Sequence, residues 1–147
     1  MKLIQTEKDN LLKPLQSVTG IVERRHTLPI LSNVLIERKN ETVSFMATDL
    51  EIQITTSTQD NEVVKQGFSV TVAAKKLQDI LRALPDKAQV TLEAEENRLQ
   101  VKAGKSRFSL QTLPIEDFPK LPEGTEPKTK IILQQKELKN LLFLVQY

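Results

Sequence analysis

The sequence contains no cysteine and only one histidine, His26, among its 147 residues. Without cysteine the chain can form neither disulfides nor thiolate metal sites, which fits a reducing cytoplasm. A single histidine cannot build a histidine-based metal cluster. We therefore expect no metal and no other cofactor, and we predict a cytoplasmic location.

Long apolar runs and strong net charge are also absent. No stretch of 18 apolar residues occurs, so we expect no membrane-spanning helix. The N-terminal MKLIQTEKDN lacks the apolar segment of a signal peptide. Glycine and proline are not enriched, and 39% hydrophobic with 27% charged residues is ordinary for a globular protein. The net charge of +2 is too small to indicate nucleic-acid binding, so any basic surface must be local.

A strand–helix unit occurs three times in the sequence. The segments LIQTEKDNLLKPLQSV, FSVTVAAKKLQDILRAL and KIILQQKELKNLLFLV align on Leu11, Leu77 and Leu138. Each begins like a strand and continues with apolar residues at helical spacing. Two matches could arise by chance, whereas three with the same internal spacing indicate a repeat. The helical stripes are Leu11, Pro14, Leu15, Val18; Leu77, Ile80, Leu81, Leu84; and Leu138, Leu141, Leu142, Val145.

Proline in the first stripe is expected near the first helical turn, where it is tolerated. Alternating strands follow each of the first two helices. The first set is NVLIE, VSFMA and LEIQITTS, with a polar turn at residues 39–41, and the second is AQVTLEA, RLQVKA and SRFSLQT. Such short hairpin spacing predicts antiparallel sheet. We therefore predict an α+β domain of two β-α-β-β-β halves, with two helices on one side of antiparallel sheet.

The proline-rich segment at residues 113–128 interrupts this pattern and suits an inter-domain connector. We place a first domain at residues 1–126 and the start of a second such domain, its first strand and helix, at 127–147. The chain is thus expected to be a piece of a longer protein. Because the last helical stripe lacks its sheet, we expect that helix to pack on a neighbouring molecule or to fray.

Two motifs that suggest catalysis are rejected. AGKSRF contains Gly-Lys-Ser, but a phosphate-binding loop needs glycine where Leu99 stands, and the following SRFSLQT alternates like a strand. Asp49 and Glu51 form a carboxylate pair on one strand face, yet no histidine, tyrosine or cysteine is placed to assist them. A hairpin turn and a solvated strand face are the better interpretations, and no catalytic residue is predicted.

Basic residues recur in two kinds of place. ERRHTLP, which includes Arg25, is a basic cluster in a predicted loop, and is either solvated charge or a phosphate contact. Cations on the repeated helices avoid the apolar stripes and would form a diffuse positive face that binds nucleic-acid backbone without reading sequence. They are Lys13, Lys75, Lys76, Arg82, Lys136 and Lys139.

A third basic group surrounds the second predicted hairpin. Arg98, Lys105 and Arg107 stand beside the apolar Phe108 and Leu110. Positive residues on an edge strand commonly prevent aggregation. The same arrangement also suits a strand-to-strand interface with another protein.

The sequence resembles the bacterial sliding clamp family, the beta subunit of DNA polymerase III. NLLKPLQSVTG, RHTLPILSNVLIE, TDLEIQI and KSRFSLQTLPIEDFP carry the resemblance, which covers essentially the whole chain. It implies a ring around double-stranded DNA, made by two three-domain subunits joined head to tail, with helices lining the hole and sheets outside. The ring would tether the replicative polymerase and confer processivity without a catalytic site of its own.

The resemblance also implies roles for individual residues. Arg25 and Lys75 resemble DNA-contacting positions, and Lys13, Lys76 and Arg82 are weaker candidates. DNA polymerase III and the clamp loader would bind a cleft that this chain lacks. The alternative functions are a non-enzymatic interaction module that uses an exposed strand edge and, thirdly, an enzyme. The positions that match the edge of the homodimer are Arg98, Lys105, Arg107, Phe108 and Leu110.

Overall fold

The computed structural model describes residues 1–22, 27–122 and 129–146. In these residues six strands and three α-helices form the predicted α+β arrangement. Short 3-10 turns occur at Pro29–Ser32 and Ile115–Asp117. The elements are β1 (Lys2–Glu7), α1 (Lys8–Thr19), β2 (Asn33–Thr48), β3 (Gln53–Ala73), α2 (Ala74–Ala83), β4 (Gln89–Glu95), β5 (Arg98–Ala103), β6 (Ser106–Leu113) and α3 (Gln135–Val145).

The two halves of the domain exchange their first strands. The sheet order is β1-β4-β5-β6-β3-β2, and its strand pairs are antiparallel. β1, from the first half, pairs with β4 of the second, for example Ile4 with Leu92. In return, the end of β3 that opens the second half pairs with β2, for example Val72 with Val34. Each half therefore supplies a strand to the sheet of the other.

The predicted turn at residues 39–41 coincides with a change of pairing partner inside β2. Asn40 has a φ of 53°, and the register shifts on both sides of it. Residues 33–38 pair with 68–73, whereas residues 42–48 pair with 53–59. NVLIE and VSFMA thus have different partners, as two predicted strands would. FSVTV and residues 53–57 of the predicted strand LEIQITTS fall within β3. The strand predicted for residues 50–52 was wrong, because these residues form the turn before β3, where Leu50 has a φ of 82°.

Both repeated helices bury their apolar stripes in one core. Leu11, Leu15, Leu77 and Leu81 are completely buried, and they belong to the same cluster as the inward side chains of the strands. Each such side chain contributes about 1.5–3 kcal/mol relative to an exposed one. Burying these stripes leaves the opposite faces of α1 and α2 to solvent, which positions the site described below.

The expectation for Pro14 was wrong. β1 passes into α1 at Lys8, so Pro14 is the seventh helical residue rather than part of the first turn. Its ring removes one helical hydrogen bond, since proline has no N–H. The carbonyl of Pro14 still accepts a hydrogen bond from Thr56 Oγ1, at 2.9 Å, which ties the middle of α1 to β3.

The beginning of the predicted connector is fixed to the sheet. Phe118 is buried in a small cluster with Ile30 and Leu31. Lys120 Nζ lies 2.6 Å from Glu37 Oε1, and the backbone N–H of Leu121 donates to the side-chain oxygen of Gln53 at 2.9 Å. Residues 113–122 are therefore part of this domain's packing, while 123–128 lie outside the described residues.

The third unit forms its helix but not its strand. Residues 131–134 make no strand with the described part of the chain, so the strand predicted there was wrong: a strand needs a partner, and none is adjacent. α3 follows, with Gln134 and Glu137 forming a reciprocal capping box. None of its residues is buried, yet the helix is formed, which contradicts the expectation of fraying. Packing on a neighbouring molecule stays a prediction.

Candidate nucleic-acid interface

The solvent-facing side of α1 and α2 carries four predicted cations. Lys13, Lys76 and Arg82 are exposed and Lys75 is half-buried. Within the described part of the chain none of the four makes an ion pair or a side-chain hydrogen bond. Their charge is therefore available to an external anion. The cations paired with carboxylates elsewhere are Lys2, Lys8, Arg38, Lys39, Lys102 and Lys120.

A cleft of about 430 Å³ separates the last turn of α1 from α2. Positions 75, 78 and 82 lie on one side of a helix, because residues three and four apart are neighbours. Two of these are the cations Lys75 and Arg82, so positive charge flanks the cleft. The lining residues are Gln16 and Thr19 from α1, Gly20 directly after it, and Lys75, Gln78, Asp79 and Arg82 from α2.

Arg25, the other principal candidate for DNA contact, lies in residues 23–26, outside the described residues, as does His26. The weaker helix candidates are described, and Lys136 and Lys139 lie on the exposed α3. The structure thus brings together Lys75 and Arg82 around one cleft. It places Lys13 one helical turn before Gln16 on α1, on the same side of that helix.

The predicted interface group around the β5–β6 hairpin includes both surface and core residues. Arg98 and Arg107 are exposed on their strands, and Lys105 is exposed in the connecting turn. Phe108 is half-buried and packs against the core, while Leu110 belongs to the core and is only 9% exposed. Leu110 therefore offers a partner backbone groups rather than its side chain.

One edge of β6 is open along most of its length. β6 pairs with β5 on one side, but on the other it meets β3 only through Thr112 and Leu113. In the described part of the chain, residues 106–111 have no strand partner at that edge. An open edge of this kind presents unpaired N–H and C=O groups that can receive another strand.

The outer sheet surface has mixed charge, unlike the helix surface. Lys102 Nζ lies 2.5 Å from Glu93 Oε2. This hydrogen bond, with the charges of Lys102, the N-terminus and Arg107, outweighs burial and holds the pKa of Glu93 below its usual value. Arg107 thus acts on a carboxylate of the same sheet, whereas the cations of α1 and α2 make no ion pair in the described part of the chain. The two surfaces are suited to different partners.

The chain matches the family model described as DNA polymerase III beta subunit, N-terminal domain, over residues 1–122. The chain belongs to this family. It is 45% identical to the beta sliding clamp of Pseudomonas putida over 136 residues, which cover 92% of this chain and 36% of that protein. It is 40% identical to a Vibrio harveyi beta sliding clamp sequence over 141 residues, 96% of each.

Solved structures agree with the family assignment. The DNA polymerase III subunit beta of Pseudomonas aeruginosa superposes with a TM-score of 0.90 at 40% identity, over 97% of this chain and 38% of that one. Caulobacter crescentus pol III beta gives 0.86 at 38% identity, again over 97% and 38%. The fold is therefore that of a sliding-clamp domain. The chain spans about 36% of the length of the first relatives it matches.

The rejected catalytic motifs have structural roles in this beta-subunit domain. Gly104, with a φ of 56°, and Lys105 form the turn between β5 and β6. Asp49 Oδ1 accepts the backbone N–H groups of Glu51 and Ile52, at 3.0 and 2.7 Å, and so shapes the turn before β3. The strand face predicted for Asp49 and Glu51 was therefore wrong, because both residues lie in this turn. In residues 1–22, 27–122 and 129–146 no three His, Cys, Asp or Glu side chains are placed to share a metal ion. None of the described helices is long and apolar enough to cross a bilayer.

Gln78 is buried and lines the cleft, but its role was not predicted from the sequence. A glutamine beside an apolar stripe is an ordinary surface residue, so its pattern carried no signal. Only the packing of α1 against α2 shows that its stem is enclosed.

Proposed function

We propose that this domain is part of a sliding clamp that encircles double-stranded DNA and tethers the replicative polymerase to it. The observation that carries the proposal is the set of unpaired cations on the α1–α2 surface, together with membership of a family whose relatives are named beta sliding clamps. Lysine and arginine on an exposed helix face reach phosphates and not base edges, so binding is independent of sequence.

Retention on DNA is topological in this proposal. A closed ring cannot dissociate sideways, so its contacts need only centre the duplex. Weak contacts suit sliding, because exposed charges are screened beyond about 8 Å at physiological salt. No bond is made or broken, so the role is processivity without a catalytic site, cofactor or metal.

The remaining parts of the proposal concern regions and partners beyond this chain. We propose that residues 1–126 form the first clamp domain, with a second beginning at 127. Two subunits would join head to tail in the cytoplasm through the edge that carries Arg98, Lys105, Arg107, Phe108 and Leu110. DNA polymerase III and the clamp loader would bind a cleft formed by residues outside this sequence.

Duplex binding by the 147-residue chain tests the proposal. Fluorescence anisotropy with a labelled duplex is measured over a series of salt concentrations, with two unrelated duplex sequences. Lys75→Ala/Arg82→Ala is compared with Lys65→Ala/Lys130→Ala, which removes the same charge from exposed positions outside α1 and α2. The helix double variant should weaken binding about tenfold and reduce the magnitude of the salt slope by about 2, since each lost phosphate contact lowers it by about 1.

The control double variant should weaken binding far less, and both duplexes should bind alike. Equal losses in the two double variants, or a strong preference for one duplex sequence, would contradict the proposal. Binding that does not change with salt would contradict it as well.

A further inference from the structure

Gln78 is the buried polar side chain of the α1–α2 cleft. It is 8% exposed, and in the described part of the chain its amide has no hydrogen-bond partner. The amide is not fully enclosed: in the described residues, Arg38 Nε is the only fully enclosed side-chain nitrogen or oxygen that lacks a partner. Because Gln78 lines the cleft, its amide is open to a group that enters there.

Positive charge stands on both sides of this amide. Lys75 lies three residues before Gln78 and Arg82 four residues after it, so the three side chains share one side of α2. Neither cation is paired in the described chain. α2 also begins at Ala74 without a side-chain cap, and the unpaired N–H groups of its first turn add positive potential beside Lys75.

The cleft also contains a negatively charged side chain, which limits its affinity for anions. Asp79 lines it next to Gln78, and Gln16 stands on the opposite wall. A carboxylate near the entrance opposes a second anionic group and weakens the hold on the first. A binding site with these residues, called the phosphate seat below, favours a single phosphate group. It binds that group weakly enough for the phosphate to dissociate as a duplex moves past.

We propose that the cleft seats one phosphodiester group of double-stranded DNA, with the Gln78 side-chain amide donating to a phosphate oxygen between Lys75 and Arg82. The inference rests on the proposed function and adds an uncharged, partly enclosed donor to the exposed cations. An amide donor fixes the position of the phosphate without adding a counterion-release contribution.

Two substitutions of Gln78 test the seat. Gln78→Met keeps the length of the side chain and removes the amide, so duplex affinity should fall about three- to tenfold, the equivalent of one neutral hydrogen bond, while the salt slope stays unchanged. Gln78→Glu adds a carboxylate beside Asp79 and should reduce affinity more than tenfold at low salt. Gln66→Met, at an exposed position on β3, is the matched control and should bind like wild type.

A direct readout separates a seat from a merely structural residue. The side-chain amide resonances of Gln78 should shift in NMR spectra when duplex is added, and should not shift with inorganic phosphate at the same phosphate concentration. A shift of equal size with inorganic phosphate would overturn the assignment to DNA. Thermal melting of Gln78→Met, expected at or above the wild-type temperature, shows that the variant is folded.

The outcomes distinguish this inference from the proposed function. If Gln78→Met binds duplex like wild type while Lys75→Ala/Arg82→Ala binds more weakly, the seat is refuted and the proposed function stands. If neither variant changes duplex affinity, both are refuted.

Discussion

Arg38 and Asp60 form an ion pair inside the protein, with Nη1 of the arginine 2.7 Å from Oδ2 of the aspartate and side chains that are 0% and 8% exposed. Arg38 Nη2 also donates to the backbone carbonyl of Glu62. The pair fixes residues 60–62 of β3 against β2. Both charges are removed from water, so each charged group is stabilised mainly by its partner in the pair.

Asp60→Ala should lower the free energy of unfolding by about 3–5 kcal/mol, because it leaves the Arg38 charge buried without its partner. Urea denaturation followed by circular dichroism measures the change. The comparison is Lys2→Ala, which breaks an exposed pair with Glu62 of similar length, 2.8 Å. That change should cost at most about 1 kcal/mol. Equal costs for the two variants would show that burial of the Arg38–Asp60 pair has no energetic consequence.

Gly67→Ala should destabilise the domain. A Cβ atom at position 67 would lie 2.9 Å from the carbonyl oxygen of Arg38, so backbone in the β2–β3 pair must shift. We expect a cost of about 1–3 kcal/mol. Gly20→Ala is the matched control, because a Cβ there meets nothing within 4 Å and Gly20 has a helical φ of −60°. It should be neutral or stabilise by up to about 1 kcal/mol, and thermal melts that rank the two variants the other way would contradict this account.

Glu37 should make stability depend on pH through its contact with Lys120. Burial alone would raise the pKa of Glu37, but the hydrogen bond and charge of Lys120 and the charge of Lys39 outweigh it and hold the pKa below the usual 4.5. A carboxyl group whose pKa is lower when folded stabilises the protein above its unfolded pKa. That stabilisation disappears as pH falls through the folded value.

Lys120→Ala removes the main cause of the lowered pKa. The variant should be less stable than wild type at pH 7, and the difference should shrink as pH falls below about 4.5. Urea unfolding at a series of pH values measures this, and Lys65→Ala, which lacks a carboxylate partner in the described chain, should show a small difference that does not change with pH. A difference between Lys120→Ala and wild type that grows toward acid pH would have the wrong sign.

Arg107→Glu should weaken association at the open β6 edge and leave duplex affinity nearly unchanged. Calorimetric titration with a full-length beta sliding clamp, such as that of Pseudomonas putida, measures the first, and anisotropy with labelled duplex measures the second. Lys65→Glu makes the same charge change away from β6. Equal effects of the two variants on association would remove the support for this edge as an interface.

Much of the fold followed from periodicity. The apolar stripes on Leu11 and Leu77 predicted the helices because a buried helix face requires that spacing. The same rule predicted a helix at Leu138, which forms, but it could not show whether a sheet is present to cover it. The alternation of apolar residues predicts which side chains face inward, but it does not predict which strand is adjacent. The exchange of β1 and the end of β3 was therefore not predicted.

The site was predictable in part for a related reason. Lys75 and Arg82 were identified as candidate DNA contacts partly because cations that avoid an apolar stripe must face solvent. The interface role of Leu110 stays a prediction, and alternation alone could not show that its side chain also belongs to the core. Arg38 was passed over because an arginine is rarely buried, and its position depends on Asp60, a residue distant in sequence.

The exchange of strands also determines the order in which the chain can fold during translation. β1 leaves the ribosome before its partner β4, which follows only after α2 has been made. Contacts so distant in sequence slow folding, and the first half alone would expose the apolar side of its sheet. Two separately produced peptides divided before Phe68, where the second half begins, should each remain largely unstructured by circular dichroism and should acquire the fold when mixed, as complementing fragments do. We therefore expect the pair of halves to be the smallest unit that folds.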